Sequence, residues 1–282
     1  MSAVRKAVSV LLLAVAVLAG VACSSDNGAP VEGTPTSWAG AALSGQLTVF
    51  AAASLTGAFE EMKASLEESN PGLSITFNFA SSTQLRAQLE QGARADVFAS
   101  ADEKQMNLAQ EAGLLAGESA VFAHNRLVVI LPRDNPASLE TLQDLSRSGV
   151  KLDLASETAP IGAYTRQFLQ RASAAPAFGA DFEQRVLANV VSEEENVKQV
   201  VAKVRLGEVD AGICYLSDVT PEAASDLATI EIPDELNQIA MYPIAVLKDA
   251  GDPALARAFL DYVLSAEGQA ILRAQNFIPV AP

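Results

Sequence analysis

Leu47-Thr48-Val49-Phe50-Ala51-Ala52-Ala53-Ser54-Leu55-Thr56-Gly57-Ala58-Phe59-Glu60-Glu61-Met62 changes rhythm part-way along its length. Its first five residues are apolar and partly β-branched, which suits a short buried strand. From Leu55 onward the apolar residues Leu55, Phe59, Met62 and Leu66 return at helical spacing. Strand, loop of small residues and amphipathic helix make the first half of a βαβ unit. The same order recurs downstream. Residues 73–79 read as a strand leading through Ala80-Ser81-Ser82-Thr83 into a helix marked by Leu85 and Leu89 and ended by Gly92. A third strand, 96–99, precedes a helix over 102–112.

Further along, 126–131 (RLVVIL) is a continuous apolar run that Pro132 would stop at a sheet edge or a domain crossing. Helices are expected over 138–147 and 161–172, with strands at 152–155 and 189–191. Val197, Val200, Val201 and Val204 mark one face of a helix over 194–206. AGICY (211–215) and 239–247 are strand-like, and 253–265 and 266–275 are helical. Repeated strand–helix alternation predicts an α/β protein with largely parallel sheets. An exported chain of this class and size is expected to form two lobes around a cleft.

Composition removes several functions. The 282 residues hold 34 Asp+Glu against 19 Lys+Arg, a formal charge of −15, with no basic block. Nucleic-acid and anionic-membrane binding both rest on clustered Lys and Arg, so neither is expected. One histidine, His124, and two distant cysteines, Cys23 and Cys214, cannot build a Cys/His zinc site.

The N-terminus places Arg5 and Lys6 before an apolar run, 7–22, in which Ser9 is the one polar residue. That run is shorter than the about 20 residues a membrane span needs, and its order of charge, apolar stretch and small residues predicts a signal peptide over 1–22. Leu18-Ala19-Gly20-Val21-Ala22-Cys23-Ser24 resembles a bacterial lipoprotein processing site, in which Cys23 becomes the lipidated first residue. Gly20 departs from that pattern, which prefers an aliphatic three residues before the Cys. Lipid on Cys23 would leave Cys214 without a partner, so no disulfide is expected. Residues 23–45, rich in Ser, Gly and Pro, read as a flexible tether, and the single tryptophan, Trp38, lies there.

The chemistry is expected where strands hand over to helices. Ala53-Ser54-Leu55, Ser81-Ser82-Thr83 and Pro160-Ile161-Gly162 are small or hydroxyl-bearing, while Ser192-Glu193-Glu194-Glu195-Asn196-Val197 is acidic. Each junction sets the free N–H groups of a first helical turn at the carboxyl edge of a sheet, which favours anions. An ordinary helix cap explains any one of them taken singly. Neither GxxxxGK[ST] nor GxGxxG occurs. His124 precedes Asn125-Arg126, not a nucleophile elbow, and reads as a structural or surface residue. Asp96 and Asp102 read as caps or surface charges, and Cys214 as a small buried hydrophobe.

The segments VFAAASLTGAFEE (49–61), FASSTQLRAQLEQGARADVFASAD (79–102), APIGAYTRQFLQ (159–170), EENVKQVVAKVRLGEVDAGICYLSD (194–218) and YPIAVLKD (242–249) resemble the molybdate-binding proteins of bacterial molybdate ABC importers, in order and with similar spacing. The resemblance implies a two-lobed, type II periplasmic-binding-protein fold with the ligand between the lobes. Lobe one would hold 46–123 with 241–282, and lobe two 124–240, joined by two crossover segments. By motif, Ser54 and Ser82 would bind the oxyanion through hydroxyl and backbone N–H, Ile161 and Val197 through backbone N–H, and Tyr215 through its phenol. Molybdenum would be held as molybdate, with no protein atom on the metal.

Thr83 stands where the family has a third Ser, and Glu193, Glu194 and Glu195 crowd the start of the helix before Val197. If they faced the ligand they would repel it. Two caps are open to this helix, a Ser192–Glu195 capping box or Asn196. The resemblance implies a receptor for molybdate, and for tungstate, that closes its lobes and passes the ion to a membrane permease. It would be monomeric, lipid-anchored on the outer face of the membrane, without cofactor and without catalysis. A receptor for a smaller oxyanion such as sulfate, or an enzyme on the same fold, are the alternatives.

Overall fold

The computed structural model describes residues 42–280. The signal peptide, Cys23, Trp38 and most of the tether fall outside them. The opening stretch folds as β1 (Ser44–Ala52), a 3-10 turn (Ala53–Leu55) and α1 (Thr56–Ser69). Helix α1 buries Ala58, Phe59, Met62 and Leu66, and Phe59 sits amid Phe77, Phe122 and Phe259, with ring centroids 5.8, 5.9 and 5.7 Å away. Burying each such side chain contributes about 1.5–3 kcal/mol. β2 (Gly72–Ala80) and β3 (Val97–Ala99) flank β1, both parallel to it. α2 (Ser82–Glu90) and α3 (Glu103–Glu111) follow them.

β4 (Ala120–Asn125) ends this stretch of the chain, and after Arg126 β5 (Leu127–Pro132) begins a different sheet. That sheet is completed by β6 (Leu152–Ala155), β7 (Val190–Glu194), β8 (Ala211–Tyr215) and β9 (Leu227–Glu231), in the order β7-β6-β8-β5-β9. Its helices are α4 (Pro160–Ala174), α5 (Phe182–Ala188), α6 (Val197–Arg205) and α7 (Pro221–Ala224). The chain returns with β10 (Ala240–Val246), α8 (Pro253–Leu264), α9 (Ala266–Ala274) and β11 (Ile278–Pro279), which complete the first sheet as β11-β4-β10-β3-β1-β2. The two crossings are tied together: Asn237 on the return segment accepts the Leu127 N–H and donates to the Leu127 carbonyl, both at 2.9 Å.

The α/β class and the two-lobed arrangement are as expected. The sheets, however, are mixed. β10 and β4 run antiparallel in the first, and β5 runs antiparallel to both β8 and β9 in the second. Pro132 does not sit on an edge strand, since β5 is interior; it closes the strand opposite Leu227, where one missing N–H is tolerated. The helix expected over 138–147 is a 3-10 turn, Leu142–Ser146. Asn135 and Ser138 before it have φ of 42° and 51°, and Asn135 bonds both the N–H and the carbonyl of Leu139, which competes with helix formation.

Candidate functional site

Five strands point their carboxyl ends at one cavity. β1 delivers Ser54 in the 3-10 turn, and β2 delivers Ser82 as the first residue of α2. β6 leads to Ile161 in the first turn of α4, β7 to Val197 at the start of α6, and β8 ends in Tyr215 itself. All five expected residues line this cavity, with Ala52, Ala53, Ser81 and Ala101 from the first-sheet side and Ala159, Pro160 and Asn196 from the second. It offers about 20 Å3 to the centres of water-sized spheres. All five are buried, between 0% and 4% exposed.

Close packing aims the helices. A Cβ on Gly162 would lie 1.9 Å from the Ser156 carbonyl oxygen, so only glycine lets the first turn of α4 settle over the end of β6. Gly212 does the same for α6, taking Val200 and Val204 where a Cβ would meet them at 2.7 and 3.0 Å. Pro160 occupies the first helical position of α4, where no N–H is needed. The Ile161 N–H behind it has no partner within the helix.

The caps leave donors facing inward. Ser81 and Gln84 form a capping box on α2, Ser81 Oγ accepting the Gln84 N–H at 3.3 Å. Ser82 Oγ accepts the Ala101 N–H at 2.9 Å, which leaves its own proton to give. On α6 the cap is Asn196, which accepts the Lys198 N–H at 3.0 Å while Gln199 reaches back to the Asn196 N–H. The Ser192–Glu195 box does not form, because Ser192 belongs to β7. The Tyr215 hydroxyl is buried and has no hydrogen-bond partner. Burial holds that phenol well above its usual range, so it is a neutral donor.

Among the described residues no Lys, Arg, Asp or Glu lines the cavity. The three glutamates are engaged elsewhere: Glu193 pairs with Arg166, Glu194 with Lys203 and Ser192, and Glu195 accepts from Gln84 Nε2 at 2.9 Å. Lys198 turns to the buried Asp218, 2.8 Å away. Asp96 accepts the Thr48 and Gly251 N–H groups, both at 2.7 Å, and Asp102 caps α3, so both are structural. His124 is half-buried in β4, opposite Met241 and Ile278, and Cys214 is fully buried in β8. Two residues that the sequence analysis does not single out lie behind the cavity wall, Tyr242 bonded to Ser54 and Asn125 behind Tyr242.

An assembly of hydroxyl and N–H donors at the carboxyl ends of strands suits an anion. Residues 47–278 match the family described as bacterial extracellular solute-binding protein. The chain belongs to that family. Its members bind solutes for transport and are not enzymes, and membership implies export. Among the described residues no helix is long and apolar enough to cross a membrane. The chain is 37% identical over 267 residues, 95% of each chain, to the molybdate-binding protein ModA of Mycobacterium tuberculosis H37Rv. It is 30% identical over 259 residues to that of Escherichia coli K12, covering 85% of this chain and 96% of the relative. The periplasmic molybdate-binding protein of Azotobacter vinelandii shares the fold with a TM-score of 0.72 at 20% identity, over 84% of this chain and 99% of that one. The sulfate-binding protein SubI of M. tuberculosis shares it with a TM-score of 0.74 at 16% identity, over 84% and 88%.

Proposed function

We propose that this protein is an extracytoplasmic receptor for molybdate, and for tungstate, that closes two lobes around the ion and hands it to the permease of an ABC importer. The observation that carries this reading is the cavity wall: hydroxyls of Ser54, Ser82 and Tyr215, backbone N–H groups of Ile161 and Val197, and no acceptor carboxylate. Molybdate is a doubly deprotonated tetrahedral anion at neutral pH and needs donors alone. Its charge is met by oriented dipoles in a dry enclosure in place of a cation. The names of the ModA relatives support molybdate as the ligand.

In this reading the lobes are 46–123 with 241–282, and 124–240, and the chain works as a monomer. Residues 1–22 are a signal peptide, and lipid on Cys23 anchors the receptor through the tether 23–45 to the outer face of the membrane. Removing 1–22 takes away Arg5 and Lys6 and no acid, leaving the mature chain two charges more negative. Charges beyond about 8 Å are screened, so this slows encounter with an anion more than it weakens the bound state.

Thermal unfolding with molybdate, tungstate, sulfate or phosphate in excess tests the assignment. A ligand at about 1,000 times its dissociation constant adds about 4 kcal/mol, or roughly 8–16 °C at this size. A large shift with molybdate and tungstate alone is expected. A shift confined to sulfate or phosphate would change the substrate, and no shift with any of them would overturn the receptor reading.

A further inference from the structure

Ser54 can help hold a fully deprotonated oxyanion only by donating, and nothing in the serine itself decides where its proton points. Ser54 Oγ lies 2.9 Å from the Tyr242 hydroxyl, and either atom could donate. Asn125 breaks the tie. Its Oδ1 accepts the Arg126 N–H at 3.0 Å, which fixes the other branch of the amide as the NH2. That Nδ2 donates to Ser217 Oγ at 2.8 Å and reaches the Tyr242 oxygen at 3.5 Å. An amide nitrogen cannot accept, so Tyr242 receives from Asn125, and among the described residues Ser54 Oγ is the one acceptor within reach of its own proton. Ser54, having accepted, has its proton left for the cavity.

We propose that Asn125 and Tyr242 form a one-way donor relay that fixes the Ser54 hydroxyl as a donor into the cavity, making Tyr242 a positioning residue that favours fully deprotonated oxyanions over those that keep a proton. Tyr242 does not line the cavity. It is fully buried, its ring edge-on to Phe122, Tyr215 and Phe277 at 6.3, 5.7 and 5.4 Å. Burial also raises its phenol well above the usual range, which keeps the proton the relay needs. Ser82 reaches the same donor state by other means, through the Ala101 backbone N–H, which no side-chain change removes. The relay is therefore the adjustable half of the pair. A hydrogen phosphate presents a P–OH that must find an acceptor, and Ser54 Oγ, already accepting from Tyr242, is a poorer one than a free hydroxyl.

This inference rests on the oxyanion reading, and its test keeps the two apart. Wild type, Tyr242→Phe, Ser54→Ala and the double variant are titrated calorimetrically with sodium molybdate and with inorganic phosphate at neutral pH, after unfolding curves show that each is folded. Tyr242→Phe retains the ring packing and loses one hydroxyl. It is expected to weaken molybdate about three- to tenfold and to narrow the preference over phosphate. In the Ser54→Ala background it should cost nothing more, because it acts through Ser54. Asn125→Asp supplies an acceptor where the relay needs a donor, and should weaken molybdate at least as much as Tyr242→Phe. Wild-type affinity in Tyr242→Phe, or losses that add in full in the double variant, would overturn the relay. A wild-type protein that ignores molybdate would overturn the functional reading itself.

Discussion

Thr83 Oγ1, on the first turn of α2, donates to the Thr158 carbonyl 2.6 Å away on the loop that enters α4, and so joins the two sides of the cavity at its rim. The neighbouring Gln84–Glu195 bond does the same at 2.9 Å. Any motion that parts the two sheets must break both. Each is solvent-exposed, so each contributes modestly, about 0.5–1.5 kcal/mol. Thr83→Val is expected to speed molybdate release about two- to tenfold with little change in the rate of binding. Stopped-flow displacement by excess tungstate would measure it, and an unchanged release rate would show that the rim contacts do not hold the ligand in.

Ser54→Ala and Ser82→Ala should each weaken molybdate by about 1.5–3 kcal/mol, the usual worth of a hydrogen bond to a charged group. Both side chains are buried, at 4% and 0% exposure, and each truncation leaves a buried partner unpaired, the Tyr242 hydroxyl or the Ala101 N–H, so the unfolding midpoint without ligand should also fall by several degrees. Calorimetry that finds wild-type affinity in both variants would remove these serines from the site.

Gly162→Ala tests the packing that aims α4. The added methyl would fall 1.9 Å from one carbonyl oxygen and 2.6 Å from another, both backbone. Relief requires the helix start to shift, and the Ile161 N–H moves with it. Overpacking of this kind costs about 1–3 kcal/mol or more, read as about 2–4 °C of midpoint for each kcal/mol. Loss of stability should come with loss of affinity; a variant as stable and as tight as wild type would contradict the argument.

Asp153 predicts a pH dependence away from the cavity. It is fully buried in β6, neither carboxyl oxygen has a donor, and burial followed by the charge of Glu194 pushes it up to about 7. Glu194 is held low, chiefly by its hydrogen bond from Lys203. The unfolded chain releases the Asp153 proton near 3.8 while the folded chain keeps it, so this residue lowers stability progressively between about pH 4 and pH 7, by about 1.4 kcal/mol per unit, and not further above. Asp153→Asn removes the penalty and supplies a donor toward Glu194. Thermal unfolding should show it more stable than wild type at pH 8 and nearly equal at pH 4; a difference that does not grow with pH would refute this account of Asp153.

Much of the candidate site was legible because most of the residues that line the cavity belong to helix starts, and helix starts leave local marks. AAASL, FASST and APIG each put small or hydroxyl residues between an apolar run and a helical period, and the face of α6 could be counted from its valines. What escaped depends on contacts far apart in the chain. Thr83 meets a carbonyl 75 residues away, Gln84 a carboxylate 111 away, and Tyr242 a serine 188 away. Nothing local announces such partners. Strand direction is likewise absent from periodicity, so the sheets read as largely parallel. β4 (AVFAHN) and β9 (LATIE) alternate too weakly to stand out, and α5 lacks a pattern for the same reason.

The central claim is that five donors from two sheets hold one tetrahedral oxyanion, and a crystal structure grown with molybdate tests it most directly. The anomalous signal of molybdenum should appear once, inside the cavity, with oxygens within hydrogen-bond distance of Ser54 Oγ, Ser82 Oγ, the Ile161 and Val197 N–H groups and the Tyr215 hydroxyl. A molybdenum peak elsewhere, or none in the cavity at saturating molybdate, would contradict it.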